Sequence, residues 1–338
     1  MAKGQYEGDA IAGLRGELDR LSSEYEALLQ SARAILTHRD FETSAREIFG
    51  LCREITGATS GYVALLSADG TENEVLFLDP GGMLCGVDEN LPMPIRGLRE
   101  KAYRSRSGVY DNHFANSKWT NLLPEGHMPL ENVLFAPLVI EGQAVGLIGL
   151  ANKDGGFDDR DLRFVSSLGD VAAAALRNSR NLEEIRYLSF HDQLTDLYNR
   201  RYLHRELTRL EDSDEYPIAI ILADLDGLKG INDRYGHAEG DRYLRSFADV
   251  LREIFRDDDI VARMGGDEFV VVLPDTDRDE GERIVSRIRS AVESFNRNTP
   301  NPPLSISLGL AVSEDRAQPF ERTYHLADRR MYREKRGR

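Results

Sequence analysis

Hydrophobic and polar positions follow two rhythms along this chain. Ile11, Leu14, Leu18, Leu21, Tyr25, Leu28, Ala32 and Ile35 lie alternately three and four residues apart, with Glu, Arg and Asp between them. That spacing predicts one apolar stripe along an N-terminal helix over 1–36. The stripe suits either a coiled-coil seam or a helix packed on its own domain. From 41 to about 175 the texture is mixed. A helix over 45–55 leads through Gly57 to a strand at 61–66, and Asp69-Gly70 turns the chain into a second strand at 75–78. Pro92 and Pro94 break the chain before a short helix at 96–104, and the apolar runs Val133–Ile140 and 144–150 flank Glu141-Gly142-Gln143 as a hairpin.

A helix from 159 to about 188 carries a second heptad series: Leu168, Val171, Ala175, Asn178, Leu182 and Ile185. With no Pro and no Gly after Gly169, it reads as a helical connector over 179–190 that supports a dimer, not as a flexible tether. The polar Asn178 in the seam is of the kind that fixes register. The α/β alternation then resumes. Helices are expected at 200–210, 241–255, 279–297 and 320–336, and strands at Ile218–Leu225, 260–264, 269–273 and 304–312. Ile218–Leu225 is continuously apolar until its end, as a central strand covered on both faces would be. Both halves therefore read as α/β (α+β) sheets flanked by helices, without internal repeats.

Composition narrows the class. The 338 residues suggest about two domains at roughly 150 each. Lys+Arg 43 against Asp+Glu 58 leaves a formal charge of −15, which disfavours a broad nucleic-acid face. No apolar run approaches the ~18–20 residues of a membrane span, and the first residues lack a secretory apolar stretch, so a cytoplasmic location is expected. Cys52 and Cys85, the only two cysteines, are far apart and support neither a disulfide framework nor a cysteine-only zinc site.

The candidate chemistry is acidic. Asp224 stands at the C-terminal end of the strand Ile218–Leu225, where α/β sheets place ligands. Asp267-Glu268 stands at the tip of the next hairpin, so the two acidic ends meet if the strands are neighbours. Carboxylate oxygens suit Mg²⁺, whose shell phosphates often complete. Gly265 and Gly266 let a nucleotide lie against the backbone, and Lys229 can neutralise a phosphate, which together read as a nucleoside triphosphate site. A plain hairpin turn would carry the same Gly-Gly-Asp.

Gly265-Gly266-Asp267-Glu268-Phe269 spells the signature of the GGDEF diguanylate cyclase domain, and 187–338 resembles that family. HDQLTDLYNR from His191, DLDGLKGINDRYGHAEGD from Asp224 and YHLADRRMYREK from Tyr324 are similar to its other segments, in the right order. The resemblance implies a palm-like fold shared with class III nucleotide cyclases. It also implies condensation of two GTP into cyclic di-GMP with release of pyrophosphate. Carried over, Asp224, the Leu225 carbonyl, Asp267 and Glu268 hold Mg²⁺ (or Mn²⁺), and Asp267 helps deprotonate the attacking ribose hydroxyl. Asn232 and Asp241 read guanine, whose N1–H and exocyclic amine a carboxylate can accept. Lys229 and Lys335 balance phosphates, and His237 lies near the substrate. Arg256 and Asp259, with Arg287, fit the family's product-inhibition site. Two departures from the family pattern stand out: Leu228 replaces the common Phe, and the spacing from Lys335 to Arg338 is one residue tighter than usual, which leaves the role of Arg338 open. Two facing sites are needed for a two-fold product, hence a homodimer. A catalytically silent GTP or cyclic di-GMP receptor on the same fold is the alternative, marked by erosion of the acidic signature, which is intact here.

Residues 37–178 resemble a GAF domain, through LPMPIRG from Leu91, 132–140 and 145–153. The resemblance implies a sensory role with an unidentified small ligand. Asn152-Lys153, Phe157 and Asp161 look like the N-K…F…D-E string of cyclic-nucleotide binders, except that Leu162 replaces the Glu. Gly86 after Cys85 argues against bilin. A haem at Cys85, His113 or His127, and a pocket lined by Trp119 and Tyr110, are further alternatives.

Overall fold

The computed structural model describes residues 2–83, 92–124, 126–213, 215–256, 258–298 and 302–337, with side-chain burial from residue 11 onward. Cys85, Gly86, Leu91, Asp257 and Arg338 lie outside the described residues. The chain divides into two compact units, Met1–Glu183 and Glu184–Arg338.

In the first unit, α1 (Ala2–Thr37) and α2 (Phe41–Thr56) precede a sheet formed by β1 (Ala58–Leu66), β2 (Glu72–Asp79), β3 (Met93–Pro94), β4 (Val109–Asp111), β5 (Val133–Ile140) and β6 (Gln143–Lys153). A short α3 (Leu98–Ser105) precedes β4, and α4 (Asp159–Phe190) leaves the unit. Among the described residues the strand order is β3-β2-β1-β6-β5-β4. The Asp40 carboxylate caps α2 by accepting Thr43 N–H at 2.8 Å. The β5–β6 hairpin turns through Glu141 and Gly142, both at positive φ (49° and 77°), as its two-residue loop requires.

The two heptad stripes divide. On α1 the packed face is Ala27, Ser31 and Ala34, whereas Ile11, Leu14, Leu18, Leu21 and Tyr25 are all more than half exposed. On α4, Leu168 and Ala175 enter the core, but Asn178, Leu182 and Ile185 are exposed. Each helix thus packs on its own unit over part of its length and leaves an apolar seam uncovered over the rest.

In the second unit, β7 (Tyr198–Asn199) and α5 (Arg200–Glu211) lead to β8 (Ile218–Leu225), then α6 (Leu228–Tyr235) and α7 (His237–Ile254). The hairpin β9 (Ile260–Gly265) and β10 (Glu268–Leu273) follows, then α8 (Arg278–Asn298), β11 (Ile306–Ser313) and α9 (Phe320–Arg336). Among the described residues the sheet runs β11-β8-β10-β9-β7. Every residue of β8 is buried. Its side chains alternate: Ala219, Ile221, Ala223 and Leu225 join the core with α7 and α8, while Ile218, Ile220 and Leu222 join the core with α5 and α9. Each fully buried Ile or Leu contributes about 1.5–3 kcal/mol, so this strand anchors both layers.

The helix expected at 241–255 is α7, which starts earlier, at His237, and a further helix, α6, precedes it where none was expected. Gly236, at φ 86° and ψ 163°, ends α6 and opens α7 at His237. The polar run between Leu228 and Tyr235 hid α6, because it buries one residue, Ile231.

Gly309 of β11 faces α9 where a side chain cannot fit: an added Cβ would stand 2.1 Å from the Ala327 carbonyl and 2.4 Å from the Met331 nitrogen. Gly309→Ala is expected to push α9 off the sheet and to destabilise the chain by roughly 1–3 kcal/mol or more. Chemical denaturation of the full-length variant checks this; an unshifted midpoint would contradict the close approach.

Candidate active site

Strand register assembles the acidic residues. In the antiparallel β8–β10 pair, Asp224 lies directly opposite Glu268, so both side chains leave the same face of the sheet. The Leu225 N–H donates to the Asp267 carbonyl at 2.9 Å, which ties the end of β8 to the glycine turn. Gly265 and Gly266 sit at φ 135° and 57°, conformations a glycine takes without strain. From the last turn of α9, Lys335 Nζ donates to Asp224 Oδ1 at 2.6 Å. Asp224 is buried and Glu268 is exposed.

The carboxyl groups strain one another. Burial raises the Asp224 pKa, with the Asp267 charge adding to it and the Lys335 ammonium opposing it. Burial, then Asp267 and Asp224, raise that of Glu268. The Lys335 pKa is raised chiefly by its hydrogen bond to Asp224. Among the described residues no three Asp, Glu, His or Cys side chains are gathered into one metal-holding cluster. That is compatible with Mg²⁺, which takes one or two carboxylates and completes its octahedron with carbonyl, water and phosphate oxygens. The all-oxygen donors Asp224, Glu268, Asp267 and the Leu225 carbonyl, with mutual repulsion to relieve, suit such an ion.

Beside this centre, α6 and α7 pack on each other. Asn232 of α6 lies against Gly240 of α7, where a Cβ would fall 1.9 Å from Asn232 Oδ1; Asp241 is the next residue. Lys229, in the first turn of α6, and His237, which opens α7, are exposed. A separate surface cluster forms where α7 ends. Arg256 N–H donates to Asp259 Oδ2 at 2.9 Å, Asp259 N–H returns to the Arg256 carbonyl at 3.1 Å, and the Arg287 guanidinium reaches the Ile254 carbonyl at 3.2 Å.

Several supporting residues escaped the sequence reading. Arg263 donates to the Gly266 carbonyl at 3.1 and 2.8 Å and to Asp192 Oδ1 at 2.9 Å, bracing the glycine turn against the HDQLTDLYNR segment. The Tyr243 hydroxyl accepts Ser305 N–H at 2.9 Å and faces the Asp226 and Pro303 carbonyls, each at 3.2 Å. Asp226 in turn accepts from the Ser305 and Ser307 hydroxyls at 3.0 and 2.9 Å. Asp226 lies within the DLDGLKGINDRYGHAEGD segment, two residues after Asp224; the serines and Tyr243 carried no signal, being recruited from distant segments.

In the first unit, the Asn152-Lys153…Phe157…Asp161 string is a fold clamp. Lys153 pairs with the buried Asp161, Asn152 bridges the Pro129 carbonyl and Glu131 N–H at 2.9 Å each, and Phe157 is in the core. A cavity of about 60 Å³ is lined by Ser60, Tyr62, His127, Phe135 and Ala151, among others. The buried Ser60 hydroxyl in its wall has no hydrogen-bond partner among the described residues. Trp119 and Tyr110 are not among the lining residues: Trp119 packs on the α3-side core and the Tyr110 hydroxyl donates to Asp159 at 3.0 Å. His127 Nδ1 is engaged with the Met128 carbonyl at 2.7 Å.

The family described as "Diguanylate cyclase, GGDEF domain" matches residues 189–338, and that described as "GAF domain" matches 38–177. The chain is 32% identical over 164 residues to the "Probable diguanylate cyclase DgcT" of Escherichia coli, covering 47% of this chain and 35% of that protein. It is 28% identical over 233 residues to "Diguanylate cyclase A" of Treponema denticola, covering 66% and 61%. A Streptomyces griseus protein described as "Uncharacterized protein in hutH 5'region" is 32% identical over 213 residues, covering 60% of this chain and 86% of that one. The chain thus spans between about a third and three-fifths of the two named cyclases.

Because Glu268 and Asp224 titrate higher in the folded chain than in the unfolded one, folding favours their protonated forms. That contribution is present at acidic pH and is lost as pH rises through the folded-state pKa values. Glu268→Gln should therefore raise the unfolding temperature at neutral pH without divalent ions, and the gain should vanish at about pH 4. Thermal melts across that range check it; a gain independent of pH would contradict the electrostatic origin.

Proposed function

Since the chain belongs to the GGDEF family of diguanylate cyclase domains, joined to a GAF domain, we propose that it condenses two GTP into cyclic di-GMP and two pyrophosphates. One observation carries the reading: the β8–β10 register sets Asp224 opposite Glu268 beside the Asp267 turn, with Lys335 at the same point. Asp224, the Leu225 carbonyl, Asp267 and Glu268 hold Mg²⁺ or Mn²⁺, which when bound neutralises phosphate charge and polarises the α-phosphoryl group.

The protein's own groups do the rest. The Asp241 carboxylate accepts the guanine N1–H and exocyclic amine, and the Asn232 side-chain amide donates to its carbonyl edge. Lys229 and Lys335 meet the triphosphate, while Gly265 and Gly266 let it approach the backbone and His237 lies alongside. Asp267 accepts the proton of the ribose 3′-OH as that oxygen attacks the α-phosphorus of the GTP on a second copy. The bond from that phosphorus to the β-phosphate bridging oxygen breaks, and pyrophosphate leaves. Two such displacements close the ring, so the active species is a homodimer. The uncovered seams of α1 and of the exposed half of α4 support that pairing.

Regulation in this reading has two arms. The GAF domain responds to a small ligand, and cyclic di-GMP binds at Arg256, Asp259 and Arg287. There guanidinium groups fork onto phosphate or a guanine edge, and the carboxylate accepts guanine N–H groups.

Purified full-length protein with GTP and Mg²⁺ is expected to yield cyclic di-GMP, and Asp267→Ala to lower the rate at least about a hundredfold. Turnover retained in that variant would overturn the assignment. Arg256→Ala is expected to weaken product inhibition roughly tenfold or more while the initial rate holds; an unchanged inhibition curve would remove the second arm.

A further inference from the structure

Lys335 reaches the acidic centre from the last turn of α9, next to the end of the helix at Arg336. Terminal turns fray, and a lysine on four rotatable bonds gives up its order readily. Something must hold this turn if the ammonium is to be found at one place. The immediate neighbour in sequence, Glu334, supplies the anchor. Its two carboxylate oxygens accept from the two terminal nitrogens of Arg289 on α8, Nη1 to Oε1 at 2.8 Å and Nη2 to Oε2 at 2.6 Å. The same Oε2 accepts the Leu308 N–H of β11 at 3.3 Å. One carboxylate thus joins the end of α9 to a second helix and to the strand that neighbours β8.

This geometry is directional. Parallel N–H···O bonds between guanidinium and carboxylate fix orientation as well as distance, which a lysine in place of Arg289 cannot reproduce. Both side chains are partly shielded from solvent, at 36% and 23% exposure, so the pair is not a fully screened surface contact. Glu334 and Lys335 are adjacent on the helix and point different ways. The clamp therefore acts by fixing the backbone of the turn, while Lys335 remains free to point at Asp224. The sequence reading gave no role to Arg289 or Glu334, which lie 45 residues apart.

We propose that the Arg289–Glu334 pair is a positioning device for Lys335, setting where its ammonium stands relative to Asp224 and hence to the triphosphate. The inference rests on the diguanylate cyclase reading above. Neither residue touches substrate; both act through Lys335. Loss of the pair releases the last turn of α9, so productive triphosphate binding becomes less frequent while the chemical step, once GTP is seated, is little changed.

A double-mutant cycle on the full-length protein tests this, with steady-state GTP kinetics for wild type, Arg289→Ala, Lys335→Ala and the double variant. Arg289→Ala is expected to raise KM for GTP roughly three- to tenfold with kcat nearly constant, and to add nothing in the Lys335→Ala background. Arg289→Lys, which keeps the charge and loses the fork, should behave like Arg289→Ala while its melting temperature stays closer to wild type. An equal loss with and without Lys335, or a loss confined to kcat, would overturn the positioning role, as would unaltered KM in both Arg289 variants. Wild type that makes no cyclic di-GMP would instead overturn the underlying cyclase reading, and that control is read first.

Discussion

The antiparallel pairing of β8 with β10 is the constraint on which the acidic centre depends. Side chains on a strand alternate faces with a period of two, so a one-residue slip would turn Glu268 away from Asp224. The register is pinned by burial on both sides. Ile218, Ile220 and Leu222 with Val270 and Val272 fill one layer, and Ala219, Ile221 and Ala223 with Phe269 and Val271 fill the other. Slippage would exchange these two sets between layers shaped by different helices. The apolar interior thus fixes, at its edge, where two carboxylates meet.

Carboxylates brought together this way carry a cost. Burial and the neighbouring carboxylates raise the proton affinity of Asp224 and Glu268, and Lys335 offsets part of that by pairing with Asp224. The surrounding backbone is held by polar groups that take no part in the repulsion. Arg263 braces the glycine turn, Asp226 and Tyr243 lock the segment after β8 to the one before β11, and Glu334 joins α9 to α8 and β11. The acidic residues thus sit on a backbone held by hydrogen bonds made elsewhere.

The first unit is organised by a comparable division of labour. The ion pair of Lys153 with the buried Asp161 fastens the sheet to the start of α4, and Asn152 bridges it to the segment before β5. Farther along α4 the apolar series leaves the core at Asn178 and stays exposed through Ile185. One sequence pattern thus serves two environments: intramolecular packing first, then a surface that water covers unless another helix does.

The elements that bury apolar side chains at regular spacing were legible in the chain itself. The central strand follows from its continuous apolar run, the hairpin from glycines between two β-prone runs, the long helices from three-to-four spacing, and the GGDEF and GAF resemblances from contiguous strings. The sequence alone singled out Asp224 and Asp267-Glu268 as candidates, because Asp224 stands at the end of an apolar run and Asp267-Glu268 at the tip of a hairpin. It did not reveal α6, whose single buried residue leaves no period to read. It could not reveal Arg263, Tyr243, Arg289 or Glu334 either, since each joins segments distant in the chain through hydrogen bonds, and such bonds have no spacing rule. Which face each carboxylate occupies, and what stands beside it, was decided only when buried layers on both sides of the sheet chose one register.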